Sequence, residues 1–382
     1  MQTRPPISRR DKPRILLCAL ETYAKIGGLQ NFNRRVITNL AARALERGES
    51  LPLAVLSGDG SVALPRIEGI AISGYDRRVD VLRRVIWAAV TEADVFMIGH
   101  VNLLPVAVLV RCLRPRMPIL LFVHGDEVWN VAIHRSKRWY EPFLLRALTR
   151  VASVSQFTID VMAREFDVPL PKFRLLPNAV DPLPVSRGDA SEASHQRDPF
   201  TILTVSRLGV GDREKYVDKV IEAVARLKKI LPEVRYEIVG DGVLRSELEA
   251  LAKDLGVDDV VRFRGRVDDA ELHQAYARAA VFAMPSSKEG FGIVYLEAWQ
   301  RGLPVVCSSE GAAKEVVSDG IDGFVVDPKD ISALADKLHL LLSKPELAKS
   351  FGENGRRKVE EKYLNPAFRA NLDRIIDEIR QL

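Results

Sequence analysis

The segment Pro285-Ser-Ser-Lys-Glu-Gly-Phe-Gly-Ile-Val-Tyr-Leu-Glu297 concentrates more usable chemistry than any other stretch of this chain. Glu289 falls in a glycine-bracketed loop after an apolar run that reads as a strand, and Glu297 falls inside the helix that follows. Gly290 and Gly292 would bare backbone N–H groups at that helix's start, where unpaired donors and the helix dipole favour an anion. An ionised carboxylate only accepts hydrogen bonds, through two oxygens, so two of them suit the paired hydroxyls of a sugar or ribose. The same residues also fit a structural role, with Glu289 as a first-turn charge and Glu297 as the i, i+4 ion-pair partner of Arg301.

Three further groups of residues carry chemistry of the same kind. Arg207, in Ser206-Arg207-Leu208, ends a strand pattern, and Lys215 follows in a polar loop that leads to a helix. A forked guanidinium and a point-charge ammonium can together neutralise a diphosphate, although both also suit a solvated loop. Gly27-Gly28 lies between a strand and a helix, where two glycines permit close backbone approach to a phosphate or simply make a tight turn. His124 ends an apolar run in His-Gly-Asp, a position suited to substrate contact. The other five histidines are scattered without metal-ligand spacing, and the dinucleotide fingerprint G-x-G-x-x-G is missing.

The elements needed to hold these residues are legible. The sequence predicts strands near Arg14–Leu20, Leu51–Leu56, Ile67–Ser73, Val95–Gly99, Pro118–Val123, Arg150–Val154 and Phe173–Leu176, with amphipathic helical patterns between several of them. Residues 181–199 lose apolar periodicity and gather Pro, Ser, Asp and Gly. Alternation then resumes, with strands near Thr201–Ser206, Arg235–Gly240, Val260–Gly265, Val281–Pro285, Pro304–Ser308 and Gly323–Val326. Helices are expected near Lys219–Ile230, Val243–Leu255, Asp269–Arg278, Gly292–Arg301, Ala312–Ser318, Asp330–Leu342 and Pro366–Leu382. Strand and helix in alternation argue for an α/β fold with parallel, doubly wound sheets. The expected domains are 1–182, a linker at 183–198, 199–365, and a C-terminal helix at 366–382 packing back toward the first domain.

Composition agrees. The 382 residues, 47% apolar and 28% charged, exceed what a single core supports and exclude a disordered or fibrous chain. A net charge of +5 is too mild for a nucleic-acid binder, but it is unevenly placed: residues 1–180 carry 26 basic and 16 acidic side chains, and residues 181–382 carry 30 and 35. Cys18, Cys112 and Cys307 are far apart, which fits a reducing cytoplasm better than a disulfide framework. The basic start is followed by too short an apolar run for a signal peptide, and the longest uncharged run, Val95–Val110, is broken by Gly99 and Pro105.

In this order, the residues resemble the retaining glycosyltransferases of glycosyltransferase family 4, whose GT-B fold sets two Rossmann-like domains facing across a cleft. The resemblance runs nearly the whole chain. It rests on Glu289-Gly-Phe-Gly-Ile-Val-Tyr-Leu-Glu297 followed by Ala298, Gly302 and Pro304. Gly27-Gly28, His124-Gly125, Pro177-Asn178-Ala179-Val180-Asp181, Arg207-Leu208, Lys215, Gly240-Asp241-Gly242, and Phe263-Arg264-Gly265 with Val267 also match.

The resemblance implies a UDP- or GDP-sugar donor and a saccharide or lipid-linked saccharide acceptor, with no metal or other cofactor. It implies that Arg207 and Lys215 hold the diphosphate, Glu297 the ribose and Glu289 the sugar hydroxyls. The backbone at Gly290, Phe291 and Gly292 would line the sugar and phosphate, with Gly240 in the matching Gly-Asp-Gly turn and Val267 beside the nucleobase. Gly28 would approach the diphosphate, and His124 would sit beside the sugar.

Four departures touch the phosphate loop, one of them a longer spacing from Arg207 to Lys215 than in many members. The family commonly has Gly-Arg-Leu and Lys-Gly where this chain has Ser206-Arg207-Leu208 and Lys215-Tyr216, and a Gly-Gly where it has Gly311-Ala312-Ala313. The basic first half suggests contact with an anionic membrane surface, through Arg34-Arg35, Arg77-Arg78, Arg83-Arg84 and Lys137-Arg138, for a cytoplasmic protein peripheral to the inner face. Competing expectations are a GT-B-fold nucleotide-sugar epimerase or hydrolase, and a non-catalytic nucleotide-sugar-binding scaffold.

Overall fold

The computed structural model describes residues 13–129, 135–183 and 197–382. The basic N-terminal residues 1–12 and most of the expected linker lie outside the described residues. The chain divides into two compact units, one of residues 1–178 with 368–382 and one of residues 179–367.

Unit 1 is built on β1 (Ile15–Leu20), β2 (Leu53–Ser57), β3 (Ala71–Tyr75), β4 (Val95–Ile98), β5 (Ile119–Val123), β6 (Arg150–Ser153) and β7 (Phe173–Leu175). Its sheet runs β3-β2-β1-β4-β5-β6-β7 with all pairings parallel. Unit 2 is built on β8 (Thr201–Val205), β9 (Arg235–Val239), β10 (Val261–Gly265), β11 (Val281–Met284), β12 (Val305–Ser308) and β13 (Gly323–Val326), in the order β10-β9-β8-β11-β12-β13, again all parallel. Helices cover both faces of such sheets, so the central strands are continuous apolar runs; every residue of β5 and β11 is buried. Strand order reverses between β1 and β4 in unit 1 and between β8 and β11 in unit 2. Beyond the carboxyl ends at such a reversal, neighbouring loops diverge and leave room for a ligand.

Two segments differ from the sequence expectation. The third strand starts at Ala71 rather than Ile67, because Gly69 turns the chain at φ 89, where a Cβ would lie 2.5 Å from the Ala41 carbonyl oxygen. The helix Pro345–Lys362 was not anticipated. Two of its buried residues are Gly352 and Gly355, which pack against the Gly302 backbone and the Trp299 ring, so its inner face carries little apolar periodicity.

The C-terminal helix Asn365–Ile379 buries Phe368, Leu372, Ile375, Ile376 and Ile379 in unit 1. Arg43, fully buried on the helix Gly28–Arg47, holds it there through Asp373 at 2.9 Å and Asp377 at 2.5 Å, while gripping Glu49 at 2.8 Å. A guanidinium can be buried in this way because its fork finds a carboxylate on each side.

Candidate functional site

In unit 2, the loops leaving β8 and β11 carry the residues that the sequence singled out. After β8 the chain turns through Ser206, Arg207 and Leu208 and enters a short 3-10 turn, Val210–Lys215. Gly240 and Gly242 shape this exit. A Cβ at Gly240, where φ is 130, would lie 1.8 Å from the Ser206 carbonyl oxygen, and one at Gly242 would lie 2.3 Å from that of Leu208. Leu208 N–H donates to the Asp241 carbonyl at 3.1 Å, so the Gly-Asp-Gly turn cradles the Arg207 backbone.

Arg207 extends into solvent and reaches Asp212 at 3.3 Å. Lys215 is drawn inward: its Nζ lies 2.7 Å from Glu289 Oε2, with both side chains mostly buried. Lys215 also donates to the Lys288 carbonyl at 3.4 Å. Glu289 is therefore the ion-pair partner of Lys215 rather than a first-turn helix charge. Glu289's own backbone is held by Ala312, whose N–H donates to its carbonyl at 3.0 Å, and by Gly311, which packs against it at φ 70. Tyr216, in place of the family's glycine, adopts φ 55, the left-handed conformation that glycine would take without strain.

Glu297 sits just over one turn into the helix Ile293–Gln300. It makes no ion pair with Arg301. Its Oε2 accepts from the Tyr276 hydroxyl at 3.0 Å, while Arg301 donates to the Glu297 carbonyl at 2.9 Å and lays its guanidinium over the Tyr276 ring. Burial pushes the Glu297 carboxyl up, against the opposing pull of the Tyr276 hydroxyl and the Arg301 charge. Gly292 begins the helix at φ 92, where any Cβ would strike the Tyr295 ring. Phe291 is buried against Tyr363, so a ligand at this loop can meet only its backbone. Gly290 is partly buried between Glu289 and Phe291, and Val267 is partly buried just beyond the end of β10.

In unit 1, Gly27 and Gly28 open the helix Gly28–Arg47 after β1. Gly27 is extended, at φ 167, and a Cβ on Gly28 would meet nothing within 4 Å. Neither glycine is required by a tight turn; a Cβ on Gly27 would lie 2.7 Å from Gln30 Oε1, and the space beside Gly28 is open.

His124 follows β5, hydrogen-bonds the Gly99 backbone and packs edge-on against Phe32, with Nε2 buried and without a hydrogen-bond partner among the described residues. Burial lowers its pKa to about 4, so the ring is neutral. His124 has company that sequence spacing hides. His100 follows the neighbouring strand β4, and buried Glu127 accepts the His124 backbone N–H at 2.5 Å and interacts electrostatically with His100. The pairing of β4 with β5 brings together two histidines that look scattered in the sequence. Among the described residues no three His, Cys, Asp or Glu side chains gather as a metal site.

Comparison with known proteins bears on the family and the fold. The family model described as Glycosyltransferase Family 4 matches residues 26–182, and that described as Glycosyl transferases group 1 matches residues 189–358. The GDP-mannose-dependent alpha-(1-6)-phosphatidylinositol monomannoside mannosyltransferase of Mycolicibacterium smegmatis is 34% identical over 258 residues, which is 62% of this chain and 64% of that protein. This alignment spans less than two thirds of that relative's length.

Among solved structures, Anabaena Alr3699/HepE in complex with UDP superposes with a TM-score of 0.74 at 20% identity, covering 96% of this chain and 100% of that one. Sucrose-phosphate synthase from Thermosynechococcus elongatus superposes with a TM-score of 0.75 at 20% identity, covering 96% and 99%. With a family model on each half and two parallel doubly wound sheets beneath them, the chain belongs to glycosyltransferase family 4 and has the GT-B fold.

Proposed function

We propose that the protein is a retaining, metal-independent glycosyltransferase that moves a sugar from a UDP- or GDP-sugar to a saccharide or lipid-linked saccharide acceptor in bacterial surface or exopolysaccharide assembly. The observation that carries this reading is the placement of Arg207, Lys215, Glu289 and Glu297 on the loops and helix that follow β8 and β11, beside the strand-order reversal of unit 2. Arg207 and Lys215 meet the diphosphate, Glu297 the ribose hydroxyls, and Glu289 with the backbone of Gly290, Phe291 and Gly292 the sugar. Gly240 holds the Arg207 turn, Val267 faces the base, and Gly27, Gly28 and His124 supply the contacts of unit 1.

In the transfer, the bond from the anomeric carbon to the phosphate oxygen breaks and a bond to the acceptor oxygen forms on the same face. The acceptor proton passes to the departing phosphate oxygen. Negative charge gathers on the diphosphate as the bond breaks, and fixed cations that stabilise it there lower the barrier. The neutral His124 ring, its one N–H turned to the Gly99 carbonyl, can accept a hydrogen bond from a sugar hydroxyl at Nε2 without adding charge beside the developing oxocarbenium ion.

The mannosyltransferase name of the mycolicibacterial relative, with its phosphatidylinositol monomannoside acceptor, supports a lipid-linked acceptor. No described helix is long and apolar enough to cross a membrane. Peripheral binding on the inner face is supported by the helix Arg78–Thr91, which exposes Val79, Arg83, Trp87 and Val90 along one stripe. Arg34 and Arg84 contribute less, being held by the Thr22 carbonyl and Glu92.

Product analysis over a panel of UDP- and GDP-sugars, with and without lipid-linked acceptors and with EDTA present, tests the reading. Acceptor-dependent glycoside formation that survives EDTA supports it. A free epimerised or hydrolysed sugar as the sole product, or none at all, contradicts it.

A further inference from the structure

The Lys215–Glu289 contact does not stand alone. One residue before each partner is a second ion pair of opposite polarity, Lys288 Nζ to Glu214 Oε1 at 2.5 Å, and between the two loops the Ser287 N–H donates to the Glu214 carbonyl at 2.9 Å. The loop after β8 thus presents Glu-Lys and the loop after β11 presents Lys-Glu, and each charge meets its opposite. Slipping one loop by a residue would set Glu214 against Glu289, or Lys215 against Lys288, so this charge order admits a single register.

We propose that Glu214 and Lys288 are positioning residues for the donor site, fixing the two loops so that the diphosphate-binding Lys215 and the sugar-binding Glu289 are presented together. This inference rests on the proposed function and goes beyond it. A diphosphate entering beside Lys215 draws the ammonium toward itself and weakens its hold on Glu289. The flanking pair, to which the proposed function gives no donor contact, keeps the loops joined while that happens. Its contribution therefore falls on ligands that need both loops, the intact nucleotide sugars, more than on nucleoside diphosphates, which need only the first.

Titration calorimetry on the full chain tests this, with UDP-glucose and GDP-mannose compared with UDP and GDP. E214Q and K288Q are expected to weaken whichever nucleotide sugar binds about tenfold, to weaken its nucleoside diphosphate no more than about twofold, and to leave the melting temperature near that of the wild type. The charge-reversed E214K/K288E protein is expected to recover most of the loss, while E214K alone, which sets a lysine against Lys288, is the weakest binder. Single variants that bind nucleotide sugars as the wild type does, equal losses for both ligand types, or no recovery in the reversed protein would overturn the proposal alone. A wild type that binds no nucleotide or nucleotide sugar would overturn the proposed function as well.

Discussion

Lys215 Nζ and Glu289 Oε2 stand 2.7 Å apart, joining the loops that leave β8 and β11. The pair leaves this part of the site close to neutral before a donor arrives. Replacing the carboxylate by an amide should release the lysine for phosphate while removing an acceptor for the sugar hydroxyls. Glu289→Gln is expected to bind UDP or GDP at least as tightly as the wild type yet transfer sugar about a hundredfold more slowly, as loss of a transition-state contact does. Parallel nucleotide titrations and single-turnover rates check both halves.

Gly240 and Gly28 stand in opposite surroundings, one crowded and one open. Gly240→Ala would force a methyl against the Ser206 carbonyl, so a loss of about 3 kcal/mol or more in stability is expected, together with donor binding. Gly28→Ala meets open space, so its melting temperature should stay at the wild-type value while donor affinity falls. Thermal melts beside donor titrations separate the two, and unchanged affinity in Gly28→Ala would return Gly28 to a purely structural role.

Tyr216 stores strain in the turn just after Lys215. At φ 55, Gly or Asn at this position should be tolerated within about 1 kcal/mol, and Val, branched at Cβ, should cost about 1–2 kcal/mol more. Urea unfolding of the three variants gives the ranking.

The strands were legible because each is a short run rich in Val, Ile or Leu ended by a turn residue, and all six strands of unit 2 lie within a residue of their expected ends. The glutamates and Lys215 were legible by type and spacing. Their pairing was not: it depends on β8 and β11 becoming neighbours, which places residues 74 apart in sequence in contact. The matched charges of Glu214-Lys215 and Lys288-Glu289 were the one signal available. Tyr276 gave none, since a tyrosine on an amphipathic helix reads as core until the helix packs beside Glu297. His100 was hidden in the same way, by the pairing of β4 with β5.

His124 makes stability depend on pH. Its folded-state pKa, lowered to about 4 from an ordinary 6.5, means that below pH 6.5 the unfolded chain takes up a proton that the folded chain refuses. Stability is therefore full above pH 6.5 and falls as the pH drops toward about 4, by at most about 3 kcal/mol. Burial raises the Glu127 pKa and works in the opposite direction. The difference between wild type and His124→Gln isolates the histidine: the advantage of the wild type should shrink as the pH falls below 6.5, and a pH-independent difference would contradict a buried neutral ring.

The central claim, that unit 2 holds the diphosphate of a nucleotide sugar through Lys215, is tested most directly by titrating UDP and GDP into the wild type and Lys215→Ala. The account predicts that at least one nucleotide binds the wild type at a single site and binds the variant about a hundredfold more weakly, with no change in fold by circular dichroism. Equal affinity in the two proteins, or no binding to the wild type, would contradict it.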